Sequence, residues 1–397
     1  MAVRKIVTDI NGLKWDTSTW GGAYASHASI RARNIKFAPT LNLHAPGFTK
    51  PEEMRGPDPS IVGGYGGDLS FDVALRPEAA VATEMRYMLE QAGTLNKRAA
   101  ASAKITAATS STIVGLTADI GTYVVGDAVF VYGSGTDPQM RFITRVQDDV
   151  PAPLSTTLTV TPNFTDTPAN GDSLRAVDTW TPKIGDPGAY YQFLMYQGGD
   201  ATNSHLFTIS DCSLANWKLS ALAADSLPYI SCSFKADSWT STDSSAATLA
   251  NEALSVGWPV LGDSFYVDNS AVAVESLEFD AGMDLQPYTA TSGTNGRAGW
   301  FCAGCMPKLS IKPYHDVDWI TRLTAGTTFS GCFESVNGTS RGWALWVPKL
   351  QVVSIAPDAL GNKLLGDMPE LLVCDPGKNA DSTNYPLFAF AATSLGS

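Results

Sequence analysis

Apolar and polar residues alternate along two stretches of this chain that share one template. Residues 34–43 (NIKFAPTLNL) and 276–285 (SLEFDAGMDL) set Ile35, Phe37, Leu41 and Leu43 in step with Leu277, Phe279, Met283 and Leu285. Side chains on a strand point to opposite faces in turn, so each stretch reads as a strand with one face buried. The alternation returns further on, as Leu69, Phe71, Val73 and Leu75 in DLSFDVAL and as Leu309 and Ile311 in KLSIKP. Such a duplication constrains the architecture before any chemical motif is weighed.

Each pair of strands is followed by a predicted helix. In the first copy Pro77 suits the first helical turn and Glu78 its dipole, while Val81, Met85, Met88 and Leu89 share a face before Gly93. In the second, Asp316 suits the N-cap, Val317, Ile320 and Leu323 fall on one side, and Gly326 follows Ala325 as the stop. Both copies close with two strands joined by a turn-rich connection, in residues 206–234 and 345–374; Asp225, Pro228 and Cys232 find counterparts there in Asp367, Pro369 and Cys374.

From Gly93 to Phe207 the chain runs 114 residues, but from Gly326 to Trp346 only 20, so the first copy carries 94 extra residues. Short β runs at 112–116, 128–132, 141–146, 158–161 and 174–177 alternate there with Gly, Pro and Asp turns. The pattern suits a small separate β-barrel or sandwich over residues 100–177, projecting from the first copy.

Composition agrees with a β-rich, turn-rich protein. Of 397 residues 44% are hydrophobic and 17% charged, with 35 Gly and 23 Pro; the charged share is below the roughly 25% of average soluble chains. A net charge of −12 argues against a groove that grips phosphates by releasing counterions. No secretory h-region follows Arg4 and Lys5, and no apolar run has the length of a membrane span. Six cysteines in so long a chain suggest a reducing compartment rather than a disulfide framework.

The repeat order is a strand, a long loop, a second strand leading into a helix, then a closing strand pair. It resembles the tail tube, or major tail, proteins of long-tailed bacteriophages. The residues that carry the likeness are 64–93 (GYGGDLSFDVALRPEAAVATEMRYMLEQAG), 275–287 (ESLEFDAGMDLQP) and 307–323 (PKLSIKPYHDVDWITRL). The resemblance implies a mainly β fold of two tandem tail-tube-like β-sandwich modules, each with one α-helix, plus the inserted small β domain. The expected boundaries are an N-terminal arm at 1–33, a first module at 34–99 and 178–245, the insert at 100–177, a linker at 246–269 and a second module at 270–397.

Relatives form six-subunit rings, so a duplicated chain is expected to build a pseudo-sixfold ring from three copies. Rings would stack into a tube that passes double-stranded DNA without binding it specifically, and other tail proteins would meet the tube ends. The chain would be made in the host cytoplasm and reside in the virion, with no membrane, metal or cofactor and no catalysis. Strands with one polar face can join edge to edge into a barrel. The polar face would then line the channel with Asn34, Lys36, Thr40, Asn42, Asp68, Ser70, Asp72, Glu278, Asp280, Asp284, Lys308, Ser310 and Lys312. Five of these are acids and three are bases, so passing DNA would meet mild repulsion. Residues 44–67 and 286–306 read as irregular loops too long for hairpin turns. The resemblance gives them contact with the next ring, with His44, Phe48, Tyr65, Tyr288 and Trp300 as candidate contact residues. Solvated faces of an ordinary sandwich and plain surface loops are the alternatives to these two readings.

Two chemical motifs carry little weight. Gly338, Ser340 and Gly342 have the spacing of a hydrolase nucleophile elbow, but a strand rather than a helix is expected after them. Cys302 and Cys305 form a lone C-x-x-C with no second half to complete a zinc site, and the four histidines are dispersed. A carbohydrate- or receptor-binding β-sandwich and a β-rich hydrolase remain the competing functions. Ten Trp residues favour the former where exposed, although Trp217, Trp319, Trp343 and Trp346 fall in periodic segments and read as core.

Overall fold

The computed structural model describes residues 10–44, 61–75, 89, 93–97, 104–148, 155–175, 177–197, 204–223, 226–244, 264–291, 293, 295–313, 317–339, 341–360 and 364–393. The fold is mainly β, with one large antiparallel sheet, a six-stranded sheet and a two-stranded hairpin. Of the first predicted helix only Leu89 is described, helical and buried; Val81, Met85 and Met88 lie outside the described residues.

Within the large sheet the same pairing order occurs twice. Ala32–His44 pairs with Ile61–Ala74, which pairs with Tyr229–Ala236, which pairs with Ser204–Ala223. In the second half Val274–Asp280 pairs with Lys308–Pro313, then Leu364–Val373, then Arg341–Leu360. The registers Phe37↔Leu69↔Phe234 and Phe279↔Leu309↔Leu371 equate the halves residue by residue. Both halves break register at matching places: Leu214/Asn216 answers Val352/Ser354, and Asn42/Leu43 answers Asp284/Leu285. Bulges are specific local devices, so finding two in register marks a shared backbone design. This register also corrects the counterparts read from sequence, because Phe234 matching Leu371 aligns Cys374 with Asp237 rather than with Cys232.

The two twenty-residue strands Ser204–Ala223 and Arg341–Leu360 turn a corner and enter a second layer. Asp211, at φ 51°, stands at the first corner. The second layers are also alike. Ser204–Ala223 pairs with Tyr190–Gln197, Ile10–Ser18 and Ala28–Ile30 in succession, as Arg341–Leu360 does with Thr328–Asn337, Ser264–Val267 and Ser270–Val272. The segment expected to be an arm thus pairs into the sheet, and part of the expected linker does too. Aromatic contacts tie the layers together: Phe193 lies 5.7 Å from Phe71 and 4.9 Å from Phe234. Burying such rings removes large apolar areas from water, which dominates the stability of the core.

The second helix, Val317–Ala325, ends at Gly326 with φ 61°, where the left-handed backbone suits glycine. Its inner face is not the one expected. Trp319 and Leu323 pack inward, one turn apart, and Ile320 is exposed. The bulk of Trp319, set edge-on to Phe329 at 5.8 Å, decides the helix rotation.

The inserted sheet contains Ile105–Ala108, Thr112–Leu116, Ala128–Tyr132, Gln139–Asp148, Ser155–Thr161 and Ser173–Arg175. It has its own core around Ile113, Val129, Ile143 and Leu158. Its flanking strands, Gly93–Lys97 and Val177–Pro182, form a stalk that joins the second half by pairing with Ala389–Thr393. The insert therefore does not project from the first half. Phe130, Met140 and Phe142 pack on Tyr266, Cys332 and Trp346 of the second half, and Arg141 reaches the Glu334 carboxylate at 2.6 Å.

Candidate functional site

One face of the eight strands that carry the repeat is polar. Leu69, Phe71, Val73, Leu277, Phe279, Leu309 and Ile311 turn into the core, which leaves Asp68, Ser70, Asp72, Glu278, Asp280, Lys308, Ser310 and Lys312 on the opposite side. Lys36 stands opposite Ser70 and Thr40 opposite Gly66, both exposed. Asn34 adopts φ 53° beside a register break and donates to Asp72 at 2.6 Å. Asn42 lies in a strand, its side chain outside the described residues, and Asp284 belongs to the separate hairpin.

The closing strands add charges to this face that the sequence reading missed. Lys235 meets Asp68 at 2.7 Å, Lys218 meets Asp280 at 2.6 Å, and Lys312 meets Glu275 at 3.2 Å. Arg33 lies 3.7 Å from Asp72, and Glu370 stands opposite Ser310. Arg33, Lys36, Lys218, Lys235, Lys308 and Lys312 therefore face Asp68, Asp72, Glu275, Glu278, Asp280 and Glu370. Among the described residues the face is balanced rather than acidic, unlike the excess of acids expected. Alternating Ser231, Ser233 and Lys235 carried the missing signal. Burial pushes the Asp280 carboxyl up, but hydrogen bonds from Lys218, Asn216 and the Gly282 amide outweigh it and hold the group below its ordinary range.

Both ends of the eight-stranded order are open among the described residues. Ala32–His44 pairs on one side only, and so do residues 354–360 of Arg341–Leu360. In the middle of the chain the equivalent edges are joined, through Lys218↔Asp280, Leu219↔Phe279, Leu222↔Leu277 and Ala223↔Ser276. By the repeat register Ala356 takes the place of Lys218, and Ala38 that of Asp280. The open edges are thus matched halves of a seam the chain already makes internally.

The second long loop is not irregular. Met283–Thr289 and Arg297–Cys305 pair as a β-hairpin, which continues the adjoining strands beyond a break at Ala281 and Gly282. Its tip crosses onto the first half: Arg297 pairs with Asp237 at 3.1 Å, and Asn295 donates to the Asp237 carboxylate at 3.1 Å. Trp300 is buried there, donating from Nε1 to Asp211 O at 3.3 Å, so it is unavailable to a neighbouring ring. Tyr288 is exposed, and Tyr65 is half exposed with an edge-on contact to Trp239. The side chains of His44 and Phe48 lie outside the described residues.

Other candidate chemistry finds little support in the geometry. Asn337 pairs with Arg341 and Val336 with Gly342, so Gly338 lies in a hairpin turn and Gly342 in the strand after it, which is not a strand-to-helix elbow. Burial pushes both the Cys302 and Cys305 thiols up, the latter to about 12, which disfavours the reactive thiolate. No group of three or more His, Cys, Asp or Glu among the described residues could hold a metal ion. Trp217, Trp319, Trp343 and Trp346 are core, as are Trp15, Trp180 and Trp300, and Trp20 and Trp239 are half-buried, so little indole is exposed among the described residues for stacking on a ligand. No described helix is long and apolar enough to cross a membrane. Neither protein-family models nor curated proteins give a match to this sequence.

Proposed function

We propose that three copies of this chain close into a ring by joining their open edges, and that stacked rings form a viral tail tube that conducts DNA. The observation that carries this reading is the internal seam: the chain already joins its halves by the edge pairing that closure would repeat between chains. The tandem tail-tube-like sandwiches expected from the sequence are compatible with the doubled strand order. Strands set about 4.8 Å apart and tilted by about 40° give a 24-stranded barrel a backbone diameter of roughly 48 Å. Side chains on both walls take roughly 10–15 Å of that, so a duplex still fits. A balanced, self-paired polar face offers phosphates few unpaired cations, which suits passage without binding.

Electron microscopy of the assembled protein tests the proposal. The expected reconstruction has threefold rings with both halves on the barrel. Six whole chains per ring, or one half standing away from the barrel, would overturn it.

A further inference from the structure

The internal seam is accompanied by a latch, and its counterpart on the second half is an open cleft. On the first half, Tyr190, Asp211 and Asp237 receive the second hairpin: the Tyr190 hydroxyl accepts from the Trp300 amide at 3.3 Å, and Asp211 and Asp237 hold Trp300 and Arg297 as described. Gly185 and Cys302 exchange two backbone hydrogen bonds of 2.9 Å beside them. The repeat register maps Tyr190 to Thr328, because Tyr191↔Cys212 matches Phe329↔Leu350. It likewise maps Asp211 to Lys349 and Asp237 to Cys374. Thr328 and Lys349 line a cleft of about 320 Å³, with Phe329 and Pro376 beside them and Thr144 and Thr161 of the insert forming another wall.

The ends of Ala32–His44 and Ile61–Ala74 form the matching first hairpin, whose described residues meet Trp239 edge-on through Tyr65 and take little further cover from the chain beyond a Tyr65 amide hydrogen bond of 3.4 Å to Asn295. This hairpin grows from the open-edge strand Ala32–His44 and shares the register break of the second. At its base Leu41 pairs with Tyr65, and the two side chains are 47% and 45% exposed. Their counterparts Met283 and Cys305 are partly buried against the core. We infer that the Thr328–Lys349 cleft is the seat for the first hairpin of a neighbouring copy of this chain, so that each lateral contact in the ring combines an edge seam with a hairpin latch. This rests on the ring reading and deepens it, because it makes the hairpins lateral clasps rather than contacts between rings. It also gives the insert a place in assembly, as one wall of the seat.

A photoreactive benzoylphenylalanine at Thr328, an exposed position, tests the inference in rings assembled from mixed light and heavy isotope-labelled copies. Mass spectrometry should find mixed-label cross-links to the strand ends around Leu41 and Tyr65, within single rings. Intact rings whose cross-links stay within one chain, bridge two rings or are missing would overturn the latch while leaving the ring reading standing. Absence of rings altogether would overturn both. As a second measure, Leu41→Asp should leave the monomer's circular dichroism and melting unchanged and raise the critical assembly concentration at least tenfold; unchanged assembly would also overturn the latch.

Discussion

Replacing Glu334 by alanine should loosen the inserted domain from the second half. Glu334 Oε2 accepts from Arg141 Nη1 at 2.6 Å and from the Met140 amide at 3.0 Å, while Oε1 accepts from the Tyr266 hydroxyl at 3.0 Å. The Arg141 side chain is fully buried. Burial opposes its charge, but the Glu334 carboxylate outweighs burial and holds its pKa above the ordinary arginine value. Removing one member of a buried pair costs about 3–5 kcal/mol, since the remaining charge stays desolvated. The orphaned Met140 amide would add about 1–3 kcal/mol, with overlap between the two because they share one network. Calorimetry, with hydrogen exchange read over residues 104–175, should show a loss near 4 kcal/mol and faster exchange at the docked strands. Arg141→Met combined with Glu334→Leu should recover most of this, because an apolar pair of similar size also removes the desolvation cost. A loss under about 1 kcal/mol for Glu334→Ala, or a double variant no better than the single, would refute the reasoning.

Excising residues 100–177 should yield aggregates rather than well-behaved chains, because Tyr266, Trp346, Ala344 and Ala389 lose their apolar cover; a monodisperse product by light scattering would contradict this. Gly282→Ala should lower the melting temperature, since φ is +60° there and a Cβ would meet the Met306 carbonyl; an unchanged melt would show the approach is not needed. Asp280 has a folded pKa below its unfolded value, so its contribution is present above about pH 4 and lost as pH falls through the folded value. Asp280→Asn should therefore weaken stability at neutral pH and flatten its acid-side dependence, and parallel pH–stability curves would argue otherwise. Asp237 is the opposite case: burial raises its pKa despite Asn295 and Arg297. Asp237→Asn should cost little at pH 7, and a large loss at that pH would show the Arg297 pair to be stronger than its surroundings suggest.

Much of the architecture was legible in the alternation of apolar residues. Phe37 and Phe279 do align, and the insert strands at Thr112–Leu116 and Ala128–Tyr132 lie where the sequence puts them, because half-buried strands write their faces directly into period two. The helix face at Trp319 was misread because nine residues leave too few apolar positions to define a stripe. The charge balance was missed because Lys218 and Lys235 lie on the closing strands, and only the tertiary register sets them beside Asp280 and Asp68. The insert's docking depends on Arg141 and Glu334, 193 residues apart, a pairing with no local signature. The same holds for Trp300, whose burial is decided by the Tyr190 and Asp211 contacts of the other half.

The proposed closure can be tested at single-residue resolution. Lys218 and Asp280 are direct partners across the internal seam, so Ala356 and Ala38 should be direct partners between chains. Antiparallel partners lie about 4.5–5.5 Å apart at Cα, within the range a disulfide spans. Pro39 lacks the amide that its counterpart Ala281 donates to Trp217 O at 3.0 Å, so this seam should be weaker than the internal one and gain from a covalent tie. Chains carrying both Ala38→Cys and Ala356→Cys, oxidised after assembly and run without reductant, should give dimers and trimers with the ladder ending at three. A ladder that continues to six, or no cross-link in assembled material, would contradict closure of three chains through these edges.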